Sequence, residues 1–536
     1  MLRSPCALAG RLGRLVLVIA CAGLLSAVPA AAKTVPAEPP YRVFIYDHLS
    51  SGEVRGLSRH GAVGLLVPGV GPTTNRRQAL AEMLRGAEVN ARLGGVPRGP
   101  RVITAAHVKG GWPSGCCYVI VSLPPPGAPE PNDHRYPIVV IGRGFHGGQL
   151  LVSPTTRIPG LVSIVDIAPT ALGHERGTLS STASSDPIGA LASLDRQIHA
   201  NNRLKLAALI VVACFIALLA AVRPRAAITA IPAALLTSIL LGAAQVTNEV
   251  AILAVLIVGT VAGGLALARL CRTDGRLLAL FLAVIVLHLW LMAAKPEWVA
   301  ITPLGPTQNS RFWGMGNQLE TLLLAPLLAG AALAGRRFGI LGFSAFALLS
   351  LVLVTDNRFG SDGGGAIVFG VAFAFLGART LRLGVRGFLT MLLAGAAVVL
   401  GLISFNLRAG GPDHLRSAFS HGVSGLVAVA ENRVPLSYAP ALHDWPMVLP
   451  LALWFLAALG ISMRLARRSA TRDLVIALGV ALGVSLLVND SAAYELIGGV
   501  AALAAVARFV PAVTPLRVVV PVRTPLPGQP LPREID

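Results

Sequence analysis

From Leu204 onward the chain alternates long apolar runs with short polar connections, and each run approaches the ~20 residues a helix needs to cross a bilayer. Eleven runs are predicted as membrane helices, at 204–222, 226–243, 249–269, 277–294, 319–335, 339–354, 365–381, 387–405, 446–463, 473–488 and 493–509. The last two lie so close together that a re-entrant pair is an alternative. Before Leu204 the pattern changes. Short β-branched runs bounded by Gly and Pro predict strands at 42–46, 62–67, 118–122, 137–141 and 149–152. A helix is expected over 75–84, with Asn75 as its cap and Leu80, Met83 and Leu84 on one face. Strands interleaved with helix imply a layered α/β domain over 33–179. Residues 180–203 read as a linker, flexible over Ser180 to Pro187. The fold class is therefore an α-helical polytopic membrane domain, 204–509, preceded by an α/β domain.

The two ends carry different signals. Residues 1–32 place Arg3, Arg11 and Arg14 before the apolar run Leu15 to Val28 and then Ala30-Ala31-Ala32, the pattern of a signal peptide or an uncleaved signal anchor. Val18-Ile19-Ala20-Cys21 also loosely fits a lipoprotein box. Residues 510–536 hold prolines spaced among arginines, which argues against a further helix.

Composition agrees with a membrane protein, at 54% hydrophobic and 13% charged residues. The net charge of +20 changes the picture only through its placement. With 33–203 outside, the short cytoplasmic connections and the tail hold eighteen Arg, among them Arg225, Arg272, Arg337, Arg379 and Arg467, against six Lys or Arg in the opposite loops. That asymmetry orients the chain as a multi-pass protein of the cell inner (plasma) membrane, with residues 33–203 extracytoplasmic and the C-terminus cytoplasmic. The charge then meets anionic lipid of the bilayer, and no nucleic-acid partner is expected. Acids run the other way, with Glu320, Asp356, Asp362, Asp490 and Glu495 external or at span ends there. Cysteines show no metal-type spacing, and Cys116-Cys117 reads as two packed thiols or a vicinal disulfide.

Four external segments collect the polar residues that a greasy span does not need. They are Thr302 to Glu320, Asp356 to Gly365, Asn406 to Trp445 and Asn489 to Glu495. Two share an outline, Asn309-x-Arg311-Phe312-x-Gly314 against Asn357-Arg358-Phe359-Gly360. A glycine-rich turn entering a helix offers backbone N–H groups to an anion. Arg311 and Arg358 would clamp phosphate oxygens. Asp356, Asp362 and Asp490 would hold a divalent cation or act as bases, and His414, beside Asp413 and Arg416, is an acid–base candidate. Asn309, Asn317, Gln318, Glu320, Asn357 and Asn489 would orient a substrate. The plain alternative is that Asp356 pairs with Arg358 and the glycines only let helices approach.

The stretch Thr156 to Thr170, closing with Asp166-Ile167-Ala168-Pro169-Thr170, resembles a late segment of the alkaline phosphatase and sulfatase superfamily. Val43-Phe44-Ile45-Tyr46-Asp47 resembles that fold's first strand. The resemblance implies an exported α/β alkaline phosphatase-like domain in which Asp47 is a metal carboxylate and Thr73 or Thr74 lies nearest the nucleophile. Where the family has Asp-His-Gly after a strand, this chain has Ile141-Gly142-Arg143-Gly144, and the segment from Asp47 to Asp166 is short for a two-metal ligand set. A degenerate, metal-free domain is the expectation. The membrane part resembles bacterial envelope proteins with an Asn-Arg-Phe-Tyr-Gly-x-Gly-Asn-Glu motif, here Asn309 to Gln318 with an inserted Ser310 and Gln for the final Glu. The order of parts is similar to that of GPI ethanolamine-phosphate transferases, an architectural analogy only.

These readings converge on an envelope protein whose external polar site binds a phosphate-bearing, lipid-linked precursor and transfers a phospho- or glycosyl group. A transporter or flippase for such a substrate, and a scaffold for cell-wall synthesis proteins, remain open.

Overall fold

The computed structural model describes residues 41–87, 100–108, 117–173, 178–306, 312, 314–356, 359–360, 363–380, 382, 384–409, 445–489 and 491–509. The signal segment, the tail, most of the loop 406–445 and Cys116 lie outside the described residues.

The N-terminal part is a mixed sheet with helices against it. Strands β1 (Arg42–Tyr46), β2 (Ala62–Val67), β4 (Ala105–His107), β5 (Tyr118–Ser122), β7 (Tyr136–Ile141), β8 (Gln149–Val152) and β10 (Ser180–Ala183) run in the order β10-β8-β2-β7-β5-β1-β4, with β9 (Leu161–Ser163) also on β2. The pair β3 (Thr73–Thr74) and β6 (Glu130–Pro131) stands apart. All five predicted strands are present, within a residue at each end. The strands β1, β4 and β5 are parallel, and β7 is antiparallel to both neighbours. Buried faces explain the continuous apolar runs, since Val119, Ile138, Val139 and Val140 are fully covered. Helix α1 (Ser51–Leu57) starts from a capping box in which Ser50 and Glu53 bond reciprocally, and those bonds hold the Glu53 carboxyl below its usual range. Helix α2 (Arg76–Arg85) starts where predicted, with Asn75 Oδ1 accepting from the Gln78 N–H at 2.8 Å. A short helix α3 (Ile167–Leu172) follows β9.

The segment expected as a linker is ordered structure. β10 pairs along its whole length with β8, and Pro187 opens a single helix α4 (Pro187–Val222) of 36 residues. Its early residues serve two partners, which a polar, Gly- and Ser-bearing sequence does not announce. Leu191 packs with Val63 and Val139 of the sheet, and Asp195 pairs with Arg135 at 2.5 Å. The same helix then enters the bundle.

The remaining helices are α5 (Pro224–Ala243), α6 (Glu249–Leu270), α7 (Asp274–Ala294), the short α8 (Pro296–Ala300), α9 (Asn317–Thr355), α10 (Gly363–Thr380), α11 (Val385–Ala409), α12 (Trp445–Leu465), α13 (Ser469–Val488) and α14 (Ala492–Ala507). Among the described residues, eight helices are long and apolar enough to cross a membrane. Two shorter apolar helices, Val385–Gly401 and Ala492–Ala507, accompany them. Helix α9 carries two of the predicted runs. It doubles back at Gly339, whose φ of 67° and ψ of −156° suit glycine alone. Gly330 lies under the ring of Phe346, although 16 residues of straight helix would separate them by about 24 Å.

Small residues let α5 and α6 touch. Gly259, Gly263 and Gly264 face Thr237, Ala233 and Ala230, and Thr229 Oγ1 donates across to Gly264 O at 2.7 Å. Helix ends sort into two groups. At one end Arg508 donates to Ala221 O at 2.6 Å, Arg225 pairs with Asp274 at 3.4 Å, and Arg379 pairs with Asp473 at 2.9 Å. The other end gathers residues 300–306, Asn317, Asp356 and Asn489, and the sheet domain sits there. Val67, Ile158 and Leu161 of that domain share an apolar cluster with Ile198, Ala300, Ile301 and Phe312.

Candidate functional site

Three of the four polar segments meet beneath the sheet domain. The C-terminus of α13, the start of α9 and the loop after α8 are tied by side-chain hydrogen bonds inside the bundle. Asn489 Nδ2 donates to Glu320 Oε2 at 2.9 Å and to Ser485 Oγ at 2.9 Å. Gln318 Nε2 donates to Gly305 O at 2.5 Å. Glu320, Thr321 and Ser485 are 0% exposed, and Asn489 and Gln318 are 4% exposed, so these groups are removed from water. Helix α14 closes the side of α9, with Gly498 against the Thr321 side chain and Glu495 buried one turn earlier. Asp356, at the end of α9, is buried as well.

The two repeated outlines cross at their glycines. Gly314 has φ of 89°, and a Cβ there would strike the carbonyl of Gly360. The next N–H, of Met315, donates to that same carbonyl at 2.8 Å. Phe312 and Phe359, the matched aromatics, are both buried. The glycines thus serve close approach between two turns, and the Met315 N–H is spent on protein instead of an anion.

Of the predicted residues, Asn317, Gln318, Glu320, Asp356 and Asn489 are placed, all at this one end. Asn309, Arg311, Asn357, Arg358, Asp362, Asp490 and His414 lie outside the described residues. The pattern reading missed Gln197, Asn201 and Lys205, which form a buried stripe along α4. Gln197 Nε2 donates to Gly242 O at 3.0 Å and Ile301 O at 3.3 Å. Asn201 Nδ2 bonds back to Gln197 O at 2.9 Å. Lys205 Nζ donates to Gly305 O at 2.8 Å and also to Pro306 O. Their spacing of four residues was the available signal, since i, i+4, i+8 lie on one helix face. It was obscured because the stripe spans the supposed linker and the first apolar run.

Asp47 lies at the carboxyl end of β1 and is occupied by a protein cation. Its Oδ1 is 2.7 Å from Arg76 Nη1 and 3.3 Å from His107 Nε2, and Arg76 Nη2 is 2.7 Å from that same imidazole nitrogen. Among the described residues no three His, Cys, Asp or Glu side chains are grouped to hold a metal ion. Asp166 of the Asp-Ile-Ala-Pro-Thr stretch has a structural task. Its carboxylate accepts from Ser153 Oγ and, at 2.7 Å, from Thr155 Oγ1, which pins the 153–156 turn against β9. The neighbouring turn oxygen Thr156 Oγ1 donates to Leu161 O at 2.5 Å. Thr74 is buried, whereas Thr73 is half-buried.

No family model, curated protein or solved structure matches the chain. The helices define a protein suited to a lipid bilayer, with a mixed α/β domain ahead of the bundle.

Proposed function

We propose that the buried polar cluster under the sheet domain binds the phosphate-bearing head of a lipid-linked envelope precursor on the outer face of the plasma membrane. One observation carries the reading. Glu320, Asn489, Gln318, Asp356 and Lys205 are withdrawn from water at one end of an apolar bundle, and intramembrane ionisable residues are expensive enough to mark sites of function. The bilayer supplies the lipid tail with a path between helices, and the polar end meets the head. Eleven crossings, with the arginine-rich end cytoplasmic, put that cluster outside. Arg311 and Arg358 hold phosphate, and Asp356, Asp362 and Asp490 bind a divalent cation or take a proton in phospho- or glycosyl-group transfer. The exported domain, phosphatase-like in sequence, serves as a roof over the site, and the Arg76–Asp47 pair supports a non-catalytic role for it.

The test uses purified full-length protein with radiolabelled undecaprenyl-linked sugars. Turnover that disappears in Arg311→Ala supports the transferase. Movement of substrate across liposomes without turnover supports a flippase and refutes transfer. If neither occurs and Arg311→Ala leaves envelope composition unchanged, the site reading fails. Cysteines placed at 311, 358 and 490 should label from outside the cell, and labelling only from the cytoplasm would overturn the orientation.

A further inference from the structure

Lys205 places its amine where apolar helices begin, and it is 3% exposed. As an ammonium it carries three N–H groups, of which two meet the carbonyls of Gly305 and Pro306. Those acceptors are neutral. Among the described residues no carboxylate pairs with it. A buried charge with neutral partners only is costly, and the cost falls when an opposite charge arrives beside it.

A second polar atom nearby is also unfilled. Gln318 Nε2 and Lys205 Nζ both donate to Gly305 O, so their side chains converge on one oxygen. Gln318 Oε1 is buried and has no hydrogen-bond partner among the described residues. Flipping the amide would set its oxygen against the Gly305 carbonyl, so the orientation is dictated by that bond. With Lys205 as an ammonium, the pair leaves one donor and one acceptor unused among the described residues, next to the chain that leads into Asn309 and Arg311.

We infer that Lys205 and Gln318 form the seat for the phosphate head, the ammonium meeting an anionic oxygen and the Gln318 carbonyl accepting from a hydroxyl of the same head. This rests on the proposed phosphate-lipid site. It adds a binding residue on α4, the helix that also carries the sheet domain through Asp195 and Leu191. A neutral alcohol of the same chain length offers no charge to Lys205 and is discriminated against.

The test compares farnesyl phosphate with farnesol on the full-length protein in detergent, by binding and by ligand-induced rise in Tm. The wild type is expected to prefer the phosphate at least tenfold. Lys205→Met removes that preference, Lys205→Arg keeps most of it, and Gln318→Met weakens it several-fold. Gln197→Leu loosens the same loop without removing the cation and leaves the preference in place. A wild type without preference overturns the phosphate-lipid reading itself. A wild type with preference that Lys205→Met retains overturns only the role of Lys205. Equal loss in Gln197→Leu and Lys205→Met shows that Lys205 merely holds the loop, which also overturns it. If Lys205→Met with Asp490→Asn is more stable than either single variant, the lysine has an internal counter-charge and the inference falls. Should Lys205→Met not fold, Lys205→Arg and the wild-type Tm rise with phosphate but not alcohol decide the matter.

Discussion

Replacing Asn489 by Leu removes the amide that joins two segments 169 residues apart in sequence. Its Nδ2 donates to the Glu320 carboxylate at 2.9 Å, and both residues are buried. A hydrogen bond to a charged group contributes about 1.5–3 kcal/mol in soluble proteins. Measured side-chain bonds inside membrane proteins are weaker, about 0.6 kcal/mol on average and about 1.7 at most, because the unfolded chain in lipid also finds partners. Burial and the carboxylate acceptor place this bond toward the upper part of that range. The expected coupling between Asn489→Leu and Glu320→Leu is therefore about 1–1.5 kcal/mol. The assay is a double-mutant cycle of reversible unfolding in mixed detergent micelles, with Ser485→Ala as a control for the second bond of the amide. A coupling below about 0.3 kcal/mol, the level at which independent sites add, would refute direct contact. It would also remove the hydrogen-bonded link between the end of α13 and α9 at the proposed site.

Two further outcomes follow from the local geometry. Gly339→Ala should destabilise the α9 hairpin by about 1–3 kcal/mol, because the glycine's backbone conformation is closed to L side chains, and equal thermal stability of the variant would count against the reversal there. Asp166→Ala should cost about 3 kcal/mol, since it strands the buried Ser153 hydroxyl and the half-buried Thr155, whereas Asp47→Ala should cost under about 1 kcal/mol because Asp47 is 64% exposed. Limited proteolysis of the full-length protein during heating reads both, and the reverse order of the two losses would contradict the structural role of Asp166.

The legible part of this protein is the part governed by local pattern. Residues 42–46 and 118–122 declared themselves as strands because β-branched runs need only cover on both faces, and Asn75 declared a helix start because its side chain caps within three residues. The apolar runs announced helices because a bilayer-length stretch admits little else. The early turns of α4 were not legible. Their polar stripe of Gln197, Asn201 and Lys205 has meaning only opposite the carbonyls of 242 and 301–306, which other segments deliver. Likewise, the paired Asn-Arg-Phe-Gly outlines suggested a repeated anion turn, and only their packing reveals two glycines brought into contact.

Sequence alone determined that this chain has a bilayer-suited bundle behind a layered domain, and that its polar residues collect in a few loops. Those are consequences of transfer free energy and helix or strand period, which each segment carries by itself. Tertiary structure decided that α9 turns back on itself, that Asn489 reaches Glu320, and that Lys205 shares an oxygen with Gln318. Such contacts depend on which helices become neighbours, and a low-dielectric interior sets their strength only after the neighbours have met.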